Sequence, residues 1–337
     1  MKKILIFPML LIGAISANAQ AGAADAHTQA MDKAKDGNID KALSIIKTAE
    51  ANYPDNATLL KDDALFSTMK KDYASAIEAG KKLIASPDAD EQSYQVLGSA
   101  YTASSKFGDA ERTYQEGIQK FPKSSILYAE YGKALNDNNQ PKKAAAAWEK
   151  GIETNPSISS NYYFLTKYYA THNNPLWSVL YGEIFINIET FSARTPEIKD
   201  TVFKQYNALF ATDNVLQNYI DNGQPFEKAV ASTLQQFKDI VSGGVNPESL
   251  YALRGQFLVS WFNSDNVKTY PYKLFDRLIQ LSKIGVFEAY NQWLFSTYNQ
   301  NQFVTWAQTN NGEIKEFSKF QRSSVFTIPD GQYYQHN

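Results

Sequence analysis

The chain has 337 residues, with 33 Lys/Arg against 35 Asp/Glu, 43% apolar and 14% aromatic residues, and no cysteine. This is ample material for a hydrophobic core and far from a disordered composition. The lack of cysteine excludes disulfides, iron–sulfur clusters, thiolate zinc sites and a cysteine nucleophile, and a net charge of −2 argues against a dedicated nucleic-acid surface.

At the N-terminus, Lys2 and Lys3 precede an almost wholly apolar run from Ile4 to Ile15, and Ala17-Asn18-Ala19 supplies the small-x-small pattern that a signal peptidase accepts. The run is short for a membrane span, and Pro8 weakens it as a helix. Residues 1–19 are expected to be a signal peptide, with an uncleaved anchor as the alternative. The Lys-Lys start and the Ala-Asn-Ala-Gln junction resemble exported proteins of Bacteroidota and other Gram-negative bacteria, which implies a periplasmic or a secreted protein. No later segment approaches 18 consecutive apolar residues, so no transmembrane segment is expected after cleavage.

Next comes a repeat. Ala42, Ala76, Ala110 and Ala144 are spaced by 34 residues, and Pro54, Pro122 and Pro156 keep the same period. The unit from Glu91 places Tyr94, Leu97, Gly98, Tyr101, Ala110, Tyr114 and Pro122 in order; the unit from Ser125 places Tyr128, Tyr131, Gly132, Leu135, Ala144, Trp148 and Pro156. Small residues let paired helices approach closely, large aromatics fill the space between hairpins, and proline stops the second helix. Turns fall at Asp36-Gly37-Asn38, Ser104 to Gly108 and Asp137 to Gln140.

In these residues the chain resembles the tetratricopeptide repeat family. The resemblance is clear over residues 23–158, as four units, and fades in a fifth over 159–192, where Ser178 takes the alanine place. It implies an all-α fold: a solenoid of helical hairpins over residues 20–192. It also implies a concave surface lined by the first helix of each pair. By resemblance, the partner-binding positions are Lys61 in the second unit, with Leu65, Thr68 and Met69 beside it, and Gln92, Gln95, Ser99 and Thr102 in the third. The fourth unit contributes Ile126, Lys133, Asn136 and Asp137, and the fifth Tyr163 and Lys167. The family's two-carboxylate clamp is missing: Leu65 and Ser99 stand where Asn would be needed.

Beyond residue 192 the composition changes. Aromatics make up about 19% of residues 159–337 and about 8% of residues 20–158. Apolar residues at spacings of three and four predict helices at 198–210, 226–240, 248–262, 271–283, 285–298 and 300–308. Residues 196–324 are thus expected to be a helical region, favoured as degenerate repeats over an independent fold. Val325 to Ile328 reads as a strand within a tail at 325–337.

Chemistry-bearing motifs are sparse. His27, His172 and His336 share no metal-ligand spacing and read as surface residues; Asp62-Asp63 reads as solvated surface. No catalytic, cofactor or metal site is expected. The favoured function is a periplasmic or secreted adaptor that holds a protein or peptide partner. The alternative is carbohydrate binding by the aromatic-rich half, with Trp177, Trp261, Trp293 and Trp306 as stacking platforms. A hydrolase with carboxylates brought together by folding is a third, lesser reading.

Overall fold

The computed structural model describes the backbone of residues 11–332 and side chains from residue 21 onward. The first ten residues of the expected signal peptide, and residues 333–337 with His336, lie outside the described residues. The chain forms two compact units, Met1–Ala144 and Ala145–Asn337.

The first unit is made of antiparallel helix pairs. Helix α1 (Leu11–Lys35) packs on α2 (Ile39–Glu50), α3 (Ala57–Met69) on α4 (Tyr73–Ala85), and α5 (Glu91–Ala103) on α6 (Phe107–Lys120). Helix α7 (Ser125–Asp137) follows, and the border between the units falls inside α8 (Pro141–Thr154). Ala42, Ala76, Ala110 and Ala144 each sit fourth in the second helix of their repeat, and all four have 0% exposure. A methyl group is all that the close approach tolerates there. Gly98 is tighter still: a Cβ on it would lie 2.4 Å from the ring of Tyr114.

The turns repeat with the same period. Gly37, Lys71, Ser105, Asn139 and Asn173, each 34 residues after the last, all have positive φ, between 52° and 78°. The amide of the next residue closes back on the carbonyl five residues upstream: Asn38 on Lys33, Asp72 on Ser67, Lys106 on Tyr101, Gln140 on Leu135 and Asn174 on Tyr169. This is the hydrogen-bonding pattern that ends a helix through one left-handed residue. Only the first repeat uses glycine for it, so the backbone geometry persists where the sequence signal does not.

In the second unit, α9 (Ser159–Thr171), α10 (Pro175–Ile188) and α11 (Thr195–Leu209) pack in succession, α10 in contact with both neighbours. Helix α10 is buried without interruption from Pro175 to Ile186, as expected of a helix apolar on nearly every side. Then follow α12 (Asp213–Asn222), α13 (Pro225–Gln235), a 3-10 turn at Lys238–Val241, α14 (Pro247–Phe262), α15 (Asn266–Thr269), α16 (Lys273–Lys283), α17 (Phe287–Leu294), α18 (Gln300–Thr309) and α19 (Asn311–Ser323). The fold is therefore an all-α tetratricopeptide-like solenoid with a distinct aromatic-rich helical region at its C-terminal end.

Three expectations are corrected here. Helices α12, α15 and α19 lie outside the expected helix ranges. The helix expected at 226–240 ends at Gln235 and tightens into the 3-10 turn. Val325 to Ile328 is not a strand, and no strand occurs among the described residues. Phe326 and Ile328 are buried while Val325 is exposed, which reproduces strand-like alternation without a neighbour to pair with. Arg277 holds the segment's start instead, donating to the hydroxyl of Ser324 at 2.6 Å and to its carbonyl at 3.0 Å.

The aromatic enrichment is explained by packing. Phe226, Phe257, Trp261, Tyr272 and Phe275 form one cluster, with the Trp261 and Phe275 ring centroids 5.0 Å apart in an edge-to-face arrangement. Beside it lies a buried polar centre in which Arg254 pairs with Glu183 and donates to Asn291 Oδ1 at 2.7 Å. Tyr290 donates to Glu183 at 2.9 Å, and Asn291 ties the group to the Pro247 carbonyl at 2.7 Å. Burial pushes the Glu183 carboxyl up, against the opposing pull of Arg254.

Candidate functional site

The best-formed part of the expected groove lies between α3 and α5. A cavity of about 280 Å³ opens there, lined by Lys61, Leu65, Thr68, Gln92, Gln95 and Ser99 among others. Helix periodicity sets up both walls. On α3, Lys61, Leu65 and Thr68 follow one another at three- and four-residue steps, with Met69 one turn after Leu65; on α5, Gln92, Gln95 and Ser99 keep the same steps. The opposite faces of the two helices, with Leu59, Phe66, Tyr94 and Leu97, supply the core.

The groove is apolar at one side and polar at the other. Leu65 is 48% exposed and Met69 54% exposed, an unusual cost for two large apolar side chains one helical turn apart. Lys61 donates to Asp90 Oδ2 at 2.8 Å and to Gln92 Oε1 at 2.9 Å, bridging the two helices. Burial pushes the Asp90 carboxyl up, but hydrogen bonds from Lys61 and Ser93 outweigh it and hold the group below the usual carboxylate range. At the other end Ser99 meets the Tyr114 hydroxyl at 3.3 Å. Gln95 bonds Glu130, whose carboxyl is raised by burial against the pull of Lys133 and Gln95.

The other expected groove residues divide into distinct situations. Thr102 is buried and donates its hydroxyl to the Gly98 carbonyl at 2.8 Å, so it is corrected from a partner-contacting to a helix-internal residue. Ile126 and Asn136 are exposed, and Lys133 is paired with Asp137 at 3.0 Å on the same helix face. In the second unit, Tyr163 and Lys167 converge on Glu197, at 2.7 and 2.6 Å. The Arg194 guanidinium lies 4.7 Å from the Tyr163 ring centre. These two therefore form an ion cluster between α9 and α11.

Two further readings change. Asp62 and Asp63 are buried: Asp62 pairs with His27 Nδ1 at 2.6 Å, and Asp63 accepts from Lys47 at 2.6 Å and Ser67 at 2.9 Å. Packing of α3 on both α1 and α2 encloses a face that would be solvated on a lone helix. Trp177 and Trp261 are 0% and 1% exposed, so neither can present a ring face to a sugar. Trp293 is half-buried with the Lys199 ammonium 3.5 Å from its ring centre. Trp306, also half-buried, donates to Glu288 at 3.1 Å.

A second, larger concavity escaped the sequence reading. It measures about 710 Å³ and lies where the α9–α10 turn meets α12 and the start of α13. Asparagine spacing along α12 was its only sequence signal: Asn214, Asn218 and Asn222 stand four residues apart on one helix face. Among the described residues no three His, Cys, Asp or Glu side chains gather as a metal site would require, and no helix is long and apolar enough to cross a membrane.

The paired helices and the 34-residue alanine column define the class: an all-α, tetratricopeptide-like solenoid. Accordingly, the tetratricopeptide repeat family model matches residues 27–91 and 96–157. No curated protein matches the sequence. Among solved structures, a tetratricopeptide repeat protein from Parabacteroides merdae is 12% identical, with 82% of this chain and 98% of that one covered and a TM-score of 0.42. For pilF of Pseudomonas aeruginosa the values are 15%, 63%, 96% and 0.46. For a thermophilic tetratricopeptide protein of Thermus thermophilus they are 16%, 56%, 98% and 0.45.

Proposed function

We propose that the chain is an exported helical-repeat adaptor that holds a protein partner through an extended peptide segment or a helix laid along α3 and α5. The observation that carries this reading is the cavity of about 280 Å³ flanked by exposed Leu65 and Met69. Apolar side chains of the partner are seated on Leu65 and Met69, while Gln92, Gln95 and Ser99 offer neutral donors and acceptors to its backbone. The Lys61–Asp90 pair fixes one end of the groove and leaves it without a strong net charge, so selectivity rests on shape and on apolar anchors. Export rests on the Lys2–Ala19 pattern.

A photo-crosslinking residue placed at Leu65 in the native host tests the groove. Discrete adducts are expected at this position and not at Lys142, on an exposed helix face, and they should vanish when Gln92 and Gln95 are replaced by Glu. Adducts of equal yield from both positions would overturn the reading. N-terminal sequencing of the protein recovered from the envelope fraction tests export, with Gln20 as the expected first residue; recovery of the intact N-terminus in the cytoplasm would refute it.

A further inference from the structure

The concavity at the α9–α10 turn has a different chemistry from the α3–α5 groove, and it stands on its own residues. Its polar lining is dominated by carboxamides: Asn173, Asn174, Asn214, Asn218, Asn222 and Gln224. No Lys or Arg lines it. Its one carboxylate, Glu227, is 1% exposed and already engaged, accepting from Trp177 Nε1 and from the Gln224 amide at 2.6 Å. An anionic ligand would find no lysine or arginine there, and a cationic one no uncommitted carboxylate. Val215 is the only aliphatic side chain among the lining residues, so an apolar anchor would find little to bind.

Part of this lining is fixed. Tyr219, 7% exposed, donates to Asn174 Oδ1 at 2.7 Å and accepts from the Leu176 amide at 3.3 Å. Asn222 donates to Asn218 at 2.9 Å, which orients both amides along α12. The His172 ring lies flat against Tyr168 with centroids 4.0 Å apart, a braced aromatic wall at the edge of the space. Asn173 is held in the left-handed turn at φ 52°, and neither its side chain nor that of Asn214 makes a hydrogen bond among the described residues.

We propose that this pocket binds a neutral saccharide. The carboxamides of Asn173 and Asn214 each present an acceptor oxygen beside two N–H donors, which matches vicinal hydroxyls that both donate and accept. The exposed ring of His172, among the lining residues, suits the C–H face of a pyranose ring. A volume of about 710 Å³ falls within the range of small-molecule sites and accommodates a short oligosaccharide. A peptide would need apolar side-chain pockets that this lining does not supply. The site lies outside the stacking positions at Trp177, Trp261, Trp293 and Trp306 and does not depend on the α3–α5 groove.

The test is titration calorimetry of the full chain against maltotriose, cellotriose, xylotriose and triacetylchitotriose, each to about 10 mM. Saturable binding of at least one is expected. The double variant Asn214→Leu/Asn218→Leu should weaken it about tenfold or more. Both positions are exposed, and an unchanged thermal melt shows that the fold is kept. The Gln92/Gln95 variant of the groove should bind the sugar as the parent does, which separates this site from the peptide-binding reading. Absence of binding by all four sugars, binding that survives the double variant, or displacement of the sugar by a mixed neutral peptide pool would each overturn the proposal.

Discussion

The repeat unit and the C-terminal helical region reach stability by different routes. In residues 21–144 the same local solution recurs, a left-handed turn and a buried alanine, and between α5 and α6 the rings of Tyr114 and Tyr94 fit against Gly98 and Gly117. Each hairpin needs only its neighbours. In α11 to α19 the contacts are unique. Arg254 on α14 reaches Glu183 on α10 and Asn291 on α17, and aromatic rings from α13, α14 and α16 fill the adjoining space. A regular array can hold a groove at any repeat, whereas an irregular bundle can create a pocket only where its particular helices diverge.

The chain provides separate probes for this contrast, because all five tryptophans lie beyond Ala144. Tryptophan fluorescence thus follows the second unit, and far-UV dichroism follows all helices. The largest effect is expected from Arg254→Met. It leaves Glu183 buried without its counter-charge, and such a loss costs about 3–5 kcal/mol. The fluorescence midpoint in urea should fall sharply, and adding Glu183→Gln should restore part of it. Unchanged midpoints would show that the polar centre contributes no stability.

Gly98→Ala tests the repeats. Its Cβ would press on the Tyr114 ring at 2.4 Å, at a cost of about 1–3 kcal/mol. The dichroism transition should shift more than the fluorescence one; equal shifts would mean that the two units melt as one.

Lys199 probes pH. Burial pulls its ammonium down to about 7 from the ordinary 10.5. Between those values the folded chain binds fewer protons than the unfolded one. Its contribution therefore grows as pH rises above 7 and is lost as pH falls through 7. The stability difference between the parent and Lys199→Met should increase by about 2 kcal/mol in the parent's favour from pH 7 to 9. A difference independent of pH would place the lysine's titration elsewhere.

The smallest effect concerns the turns. Ser105 is a non-glycine residue at φ 59°. Replacing it by Gly relieves left-handed strain at some entropic cost, for a net gain of about 0.5 kcal/mol. A melting temperature that drops would show that the Ser105 side chain stabilises the turn more than its conformation costs.

Sequence spacing placed the repeats correctly, because a 34-residue period records which residue types each hairpin requires. The family resemblance implied that Lys61, Gln92, Gln95 and Ser99 share one surface, and those four line one cavity; whether a partner occupies it is the proposal. The resemblance misplaced Thr102 because exposure at the end of a helix depends on what packs over it. Local sequence read Asp62 and Asp63 as solvated because their partners, His27 and Lys47, come from α1 and α2. The tryptophans were open to either reading in the sequence; only assembly of the bundle enclosed Trp177 and Trp261.

By itself, then, the order of residues determined the helical class, the hairpin period and the face of each early helix that turns inward, since all three follow from local periodicity and side-chain size. The tertiary structure alone decided the buried ion pair of Arg254 and Glu183 and the carboxamide pocket beside α12. Those features join residues up to 71 positions apart, and no local pattern encodes which distant helix will supply the other half of a contact.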